Sequence, residues 1–142
     1  MIGMVTKQMF FDRKAVTSRV DKAARKVLSK FGAFVRTGAK HSIRKRKAVS
    51  DPGSPPSSHV GLLRKLIYFG YDPGRKSVVI GPTPLHGTAE APPVLEYGGK
   101  ARRRGRKGRP MMATYKARPF MGPAFEREKP KLPAMWANSV KQ

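Results

Sequence analysis

RKAVTSRVDKAARKVLSKFGAFVRTGAKHSIR, residues 13–44, is the stretch whose reading decides the fold. Val16, Val20, Ala24, Val27, Phe31 and Val35 step by 4, 4, 3, 4 and 4. That spacing draws one apolar stripe along a helix of 3.6 residues per turn. Ala23, Leu28 and Phe34 widen the stripe, while Arg19, Lys22, Arg25, Lys26, Lys30 and Arg36 fall off it toward water or a partner. Asp12 suits the N-cap, and Asp21 with Arg25 forms an i,i+4 pair. Gly32 and Gly38 each weaken the helix by roughly 1 kcal/mol relative to Ala, which allows a kink or an early end near 36–40.

Outward from this helix the pattern changes period. Residues 48–60, AVSDPGSPPSSHV, carry three prolines, a glycine and four serines and read as a loop. A short helical turn follows at 61–65. Leu66-Ile-Tyr-Phe-Gly-Tyr71 is apolar and aromatic, a strand. Asp72-Pro-Gly-Arg-Lys76 reads as a turn, with Gly74 free to take φ > 0, and Ser77-Val-Val-Ile-Gly81 as the return strand. Residues 82–93 hold Pro82, Pro84, Pro92 and Pro93 and read as irregular; Val94–Tyr97 is a short ordered element ended by Gly98-Gly99. Met111–Lys116 can form another strand. Pro119 suits the first turn of a helix that Phe120 to Glu128 continue, with Phe120, Ala124 and Phe125 inward. Pro130 and Pro133 interrupt the pattern, and Leu132, Met135 and Trp136 make a last apolar patch. The expected class is α+β in one domain over 1–142, a long N-terminal amphipathic helix and a C-terminal helix packed on a small antiparallel β-sheet. There is no internal repeat.

Charge sits at the two ends of the chain. The 142 residues include 31 Lys+Arg and 8 Asp+Glu, a formal net charge of +23. Residues 1–50 carry +12, residues 51–99 balance to 0, and residues 100–142 carry +11. The middle third therefore reads as core and the outer thirds as its basic coat. The densest run is Lys100-Ala-Arg-Arg-Arg-Gly-Arg-Lys-Gly-Arg109. Gly105, Gly108 and Pro110 make it a poor helix, and like charges repel, so residues 100–110 are expected to be a flexible loop. Its cations, Lys100, Arg102, Arg103, Arg104, Arg106, Lys107 and Arg109, are the candidate contacts for DNA phosphates or an acidic partner. A second cluster, Arg44-Lys45-Arg46-Lys47, stands where the first helix is expected to end and suits its negative dipole end; it is a candidate interface. The charge implies a polyanionic or acidic partner.

Several classes are excluded or disfavoured. No run approaches the roughly 18–20 apolar residues of a membrane span, and MIGMVTKQMFF lacks the n- and h-regions of a signal peptide. The absence of Cys removes disulfides and thiolate metal sites and fits a cytosolic life. His41, His59 and His86 lack the spacing of a helical metal pair, and Glu126 and Glu128, at i,i+2, point apart. Ser57-Ser58-His59 has no GxSxG elbow around it. No cofactor, metal or catalytic set is expected, and the chain does not read as an enzyme. Specific nucleic-acid modules are missing too. Tyr68, Phe69, Tyr71 and Tyr97 lie in the neutral middle and read as core rather than stacking platforms, so nucleic-acid contact would be backbone-only.

Three stretches together carry a resemblance: His59-Val-Gly-Leu-Leu-Arg-Lys-Leu-Ile67, Val94-Leu-Glu-Tyr-Gly-Gly99 and Ala117-Arg-Pro-Phe-Met-Gly-Pro-Ala124. With Val78-Val-Ile-Gly81 between the first two, their order resembles the neck or tail-completion proteins of long-tailed double-stranded DNA bacteriophages, the head–tail joining family of lambdoid type. The match spans about residues 13–128. Val60 and Leu66 stand where that family has small hydroxyl residues, and the stretch from Gly99 to Ala117 is longer and more basic. The resemblance implies a non-enzymatic virion protein, made in the host cytoplasm and built into the neck or tail. It implies a homo-oligomeric ring between a connector or portal-side protein and the tail tube protein, with unspecific contact to packaged DNA and no membrane partner. Arg118, a cation at an expected helix start where the dipole disfavours it, is a further candidate interface residue. The alternative function is a sequence-nonspecific basic nucleic-acid-binding protein of ribosomal or nucleoid type.

Overall fold

The computed structural model describes residues 12–84, 90–105 and 108–141; residues 1–11, His86, Arg106 and Lys107 lie outside the described residues. Helix α1 runs Arg13–Ser42, and the Asp12 carboxylate accepts the Ala15 N–H at 3.0 Å, the expected cap. The helix ends two residues earlier than expected, at an extended Ile43, and it passes through both glycines without a break. At Gly32 a Cβ would lie 2.7 Å from Val78 Cγ2 and 3.0 Å from Phe69 Cδ2. The missing side chain lets a β-hairpin close onto the helix, and that packing outweighs the propensity loss.

The hairpin pairs β3 (Ile67–Asp72) with β4 (Ser77–Pro82), in register from Ile67↔Pro82 to Asp72↔Ser77. In its loop Asp72 Oδ1 accepts the N–H groups of Gly74 and Arg75. Those bonds hold the first residues right-handed, so the left-handed position falls on Lys76 (φ 49°) and not on Gly74. Lys76 Nζ reaches Asp21 Oδ1 at 2.7 Å, so Asp21 pairs with the hairpin loop in place of Arg25. The hairpin tip thus meets α1 at Asp21, and the stripe residues before it, Val16 and Val20, stay 43% and 44% exposed.

The basic run corrects the sequence reading. Residues 99–104 form strand β5 (Gly99–Arg104), paired antiparallel with β6 (Pro110–Tyr115), where a flexible loop was expected. Successive side chains alternate faces, and each cation meets a neutral cross-strand partner: Lys100 opposite Thr114, Arg102 opposite Met112, Arg103 opposite Met111 and Arg104 opposite Pro110. No like charges are directly opposed. The tip is closed by Gly105 N–H to Arg109 O at 2.8 Å and Gly108 N–H to Gly105 O at 2.9 Å, with Gly108 at φ +74°.

The remaining elements sharpen or move the expected boundaries. Strand β1 (Arg44–Lys45) pairs in parallel with β2 (Ser57–Ser58), so the loop at 48–60, expected to make no ladder, contributes one short strand to one. Among the described residues the strands form not one sheet but three two-stranded ribbons. Helix α2 spans Leu62–Lys65. Helix α3 spans Ala91–Tyr97 and starts inside the stretch expected to be irregular, because Pro92 and Pro93 occupy its first turn, where a missing N–H is tolerated. Helix α4 spans Met121–Glu128, so Pro119 precedes it and Phe120 is its N-cap residue. A 3₁₀ turn at Lys129–Lys131 leads into α5 (Leu132–Trp136).

The core lies where the second half of α1 meets β3, α2 and α4. Phe31, Val35, Ala39, Ile43, Leu63, Ile67, Phe120 and Ala124 form it, with Val78, Ile80, Leu95, Leu132 and Met135 packed around. Phe125 meets Phe31 edge-on at 5.7 Å and 84°. Burying a side chain of this size contributes about 1.5–3 kcal/mol. The ribbon has one face on α1 and one face open. Phe69 is therefore partly covered, whereas Tyr68 is 50% exposed, and Tyr97 of α3 is 84% exposed. Those two tyrosines are not core.

Candidate functional site

Three surfaces involve the residues singled out in the sequence. The first is the basic hairpin arm. Lys100, Arg102 and Arg104 share one face of β5, and all three are exposed. Arg103 projects from the other face, whose base is anchored by buried Ala101, and Arg109 sits exposed at the tip. Met111 and Met112 beside them are also exposed. The ladder holds these cations in a fixed alternation, a geometry that can follow a line of phosphates or a row of carboxylates.

The second is the joint between the motif stretches. The Glu96 carboxylate of α3 accepts three backbone N–H groups at the start of α4, from Phe120 at 2.9 Å, Met121 at 3.0 Å and Gly122 at 2.7 Å. An anion at a helix N-terminus satisfies donors that have no intrahelical partner and complements the dipole. Leu95 O accepts the Arg118 N–H at 2.6 Å. The Arg118 side chain turns inward: its Nε donates to Ser50 O at 2.9 Å and its Nη1 to Lys116 O at 3.3 Å. Arg118, a candidate interface residue from the sequence, straps the loop after α1 to the chain entering α4. Its positive charge at that helix start is offset by Glu96.

The third surface lies at the end of α1, and most of it was missed in the sequence. The cluster at 44–47 does not sit on a helix end, since α1 stops at Ser42; Lys40 and His41 occupy its last turn. Arg44 and Lys45 are in β1, Arg46 Nε donates to Ser57 Oγ at 2.9 Å, and Lys47 is exposed in the loop. Beside them a concavity of about 310 Å³ is lined by Lys40, Lys45, Val60, Gly61, Arg64 and Lys65. On its flank Arg36 and Lys40 sit over the Tyr68 ring, with Arg36 Cζ at 6.0 Å and Lys40 Nζ at 5.9 Å from its centroid. Arg36 Nε is fixed by a 2.9 Å bond to Ile67 O. Partial burial, and then the charges of Arg36 and Arg64, push the Lys40 amine down from its ordinary value. A signal for this corner was present in the sequence: Arg36 and Lys40 are i,i+4 on the polar face of the long helix, and Arg64-Lys65 lies inside the first motif stretch.

Among the described residues, no three His, Asp or Glu side chains gather where they could hold a metal ion, and no helix is long and apolar enough to cross a membrane. No family model, curated protein or solved structure matches the chain. The surfaces themselves, two cationic and one an internal joint, are what the chemistry can be read from.

Proposed function

We propose that this chain is a structural subunit of the head–tail junction of a tailed bacteriophage, acting by assembling into an oligomeric ring and not by catalysis. The observation that carries the reading is the joint between its ordered motif stretches. Glu96 of Val94–Gly99 receives the N–H groups of Phe120, Met121 and Gly122 from Ala117–Ala124, and Leu95 receives Arg118. The residues that carry the resemblance are thus the ones that lock the α3–α4 corner together. Two-stranded ribbons whose edges are unpaired among the described residues support the same reading, because such edges and exposed apolar residues such as Val79, Met111 and Met112 favour neighbours. In this reading the neighbours are further copies of the chain, a connector or portal-side protein, and the tail tube protein, and the protein resides in the virion neck or tail. The test is native mass spectrometry and electron microscopy of the purified chain, alone and with tail tube or connector protein. A closed ring is expected on at least one partner. A strict monomer with affinity for neither would sink the proposal.

The second reading, a sequence-nonspecific nucleic-acid-binding protein, draws on the cationic arm and corner. Tight duplex binding by the isolated monomer at physiological salt, with no ring under any assembly condition, would favour it.

A further inference from the structure

We infer that the corner between the end of α1 and α2 is a binding site for the phosphodiester backbone of nucleic acid, with Lys40, Lys45, Arg64 and Lys65 as the phosphate-facing cations and Arg36 as their positioning neighbour. The site is concave, and among the described residues four of the six that line it are cations and none is acidic. Six of the eight acidic residues are committed elsewhere. Asp21 pairs with Lys76, Glu126 with Lys129 and Glu128 with Lys131; Glu96 caps α4, Asp72 holds its own turn, and Asp12 caps α1. Of the other two, Asp51 lines the neighbouring hollow with Arg44 and Arg46 and Glu90 is exposed, so among the described residues no acidic side chain lines the corner.

The arrangement is fixed. Arg36 is tied to Ile67 O and, with Lys40, lies over one tyrosine ring, so neither sweeps freely through solvent. Gly61, at φ +75°, opens α2 and aims Arg64 and Lys65 at the same hollow. Partial burial first, and then the nearby charges of Arg36 and Arg64, depress the Lys40 amine. A phosphate between them would reverse the repulsion among these charges.

Nucleic acid fits the corner better than an acidic protein. A protein interface centres on buried apolar anchors with charge at the rim, whereas among the described residues Val60 is the one large apolar side chain lining the hollow and the Tyr68 face is already occupied by cations. Protein–DNA interfaces are more polar and far more positive. With no base-reading donor–acceptor set in the hollow, binding should ignore sequence. The site does not depend on the head–tail reading, and ring formation by the same variants reports on that reading separately.

The experiment is fluorescence anisotropy of the full chain with a labelled 24-base-pair duplex of arbitrary sequence across a salt series. One triple variant, Lys40→Met with Lys45→Gln and Arg64→Gln, empties the corner. A second, Lys14→Gln with Lys22→Gln and Arg25→Gln, removes the same charge from the first half of α1. The corner triple should lose at least about tenfold in affinity near 0.1 M salt, and its log–log salt slope should fall by about two to three, as each lost phosphate contact removes roughly 0.9. The control triple should lose less than about threefold. Arg64→Gln alone, at an exposed position, keeps the test readable if the triple variant folds poorly. Equal losses in both triples would mean diffuse charge and overturn the site, as would no loss in the corner triple. Polyglutamate displacing the duplex at matched charge would assign the corner to an acidic protein surface instead.

Discussion

Replacing Glu96 by Ala should be among the most costly single changes outside the apolar core. The carboxylate accepts three N–H groups, at 2.9, 3.0 and 2.7 Å, and all three belong to the start of α4. A hydrogen bond to a charged group is worth about 1.5–3 kcal/mol, and an N-cap about 0.5–2 kcal/mol. The values do not add, because the donors share one acceptor group and Gly122 is exposed enough for water to replace its bond. We expect Glu96→Ala to cost about 2–3 kcal/mol and Glu96→Gln, which keeps one carbonyl oxygen but drops the charge, about 1 kcal/mol. For a domain of this size about 3 °C of Tm accompanies each kcal/mol. The expected drops are then roughly 6–9 °C for Ala and roughly 3 °C for Gln. Urea unfolding followed by the single tryptophan, Trp136 of α5, gives the free energies, and calorimetry gives the Tm. An Ala variant within about 0.5 kcal/mol of the parent would refute the joint as a stabilising contact.

Gly32→Ala and Gly38→Ala should part company in the same assay. Helix propensity favours each by about 1 kcal/mol, but at Gly32 the new methyl meets Val78 and Phe69 in the packed interface, and overpacking costs about 1–3 kcal/mol. At Gly38 it meets the movable end of Arg127, so that variant should be neutral to stabilising while Gly32→Ala is destabilising. Glu128 is buried, and Lys131, then Arg127, hold its carboxyl below the usual 4.5 against the opposing effect of burial. A depressed carboxylate stabilises above its unfolded pKa and loses that contribution as pH falls through the folded value. Glu128→Gln should therefore cost about 0.5–1 kcal/mol at pH 7, and the gap from the parent should close by about pH 2–3, as urea titrations at both pH values would show. Ser50 is 4% exposed and its hydroxyl has no partner among the described residues. Ser50→Ala should leave stability unchanged or raise it by up to about 1 kcal/mol in thermal melts.

The α+β class and the element order were legible because each depends on local periodicity. The stripe from Ala24 to Val35 and the apolar pair of strands around Asp72-Pro-Gly each declare a period within a dozen residues. What the sequence hid is long-range. Nothing local distinguishes Glu96 from a surface glutamate until α3 is laid against α4, 24 residues on. The basic arm was misread for a related reason. Charge repulsion argues against order only if the cations face one another, and the register that places Met111, Met112, Thr114 and Pro110 opposite them is set by the pairing itself. Arg118 shows the same gap, since its strap to Ser50 spans 68 residues. The exposure of Val16 and Val20 depends on where the hairpin stops, which the Lys76–Asp21 pair sets.

The surplus of cations has a consequence for stability that the Lys40 corner makes measurable. Lys40 is disfavoured in its charged form by partial burial and by Arg36 and Arg64. A lysine whose folded pKa is lowered holds fewer protons than in the unfolded chain between that folded value and 10.5. Stability therefore rises with pH through that window, and the penalty is fully present below it. Lys40→Met keeps the apolar stem beside Tyr68 and removes the charge, so it should stabilise the free chain at neutral pH. The gain should shrink as pH rises from the lowered folded value toward 10.5. The same substitution should weaken duplex binding. Opposite movements of stability and affinity separate a site kept for an anionic partner from a lysine that merely supports the fold, because a supporting residue would lose both together. A Lys40→Met chain that melts lower and still binds duplex as the parent does would show that the charge serves the fold.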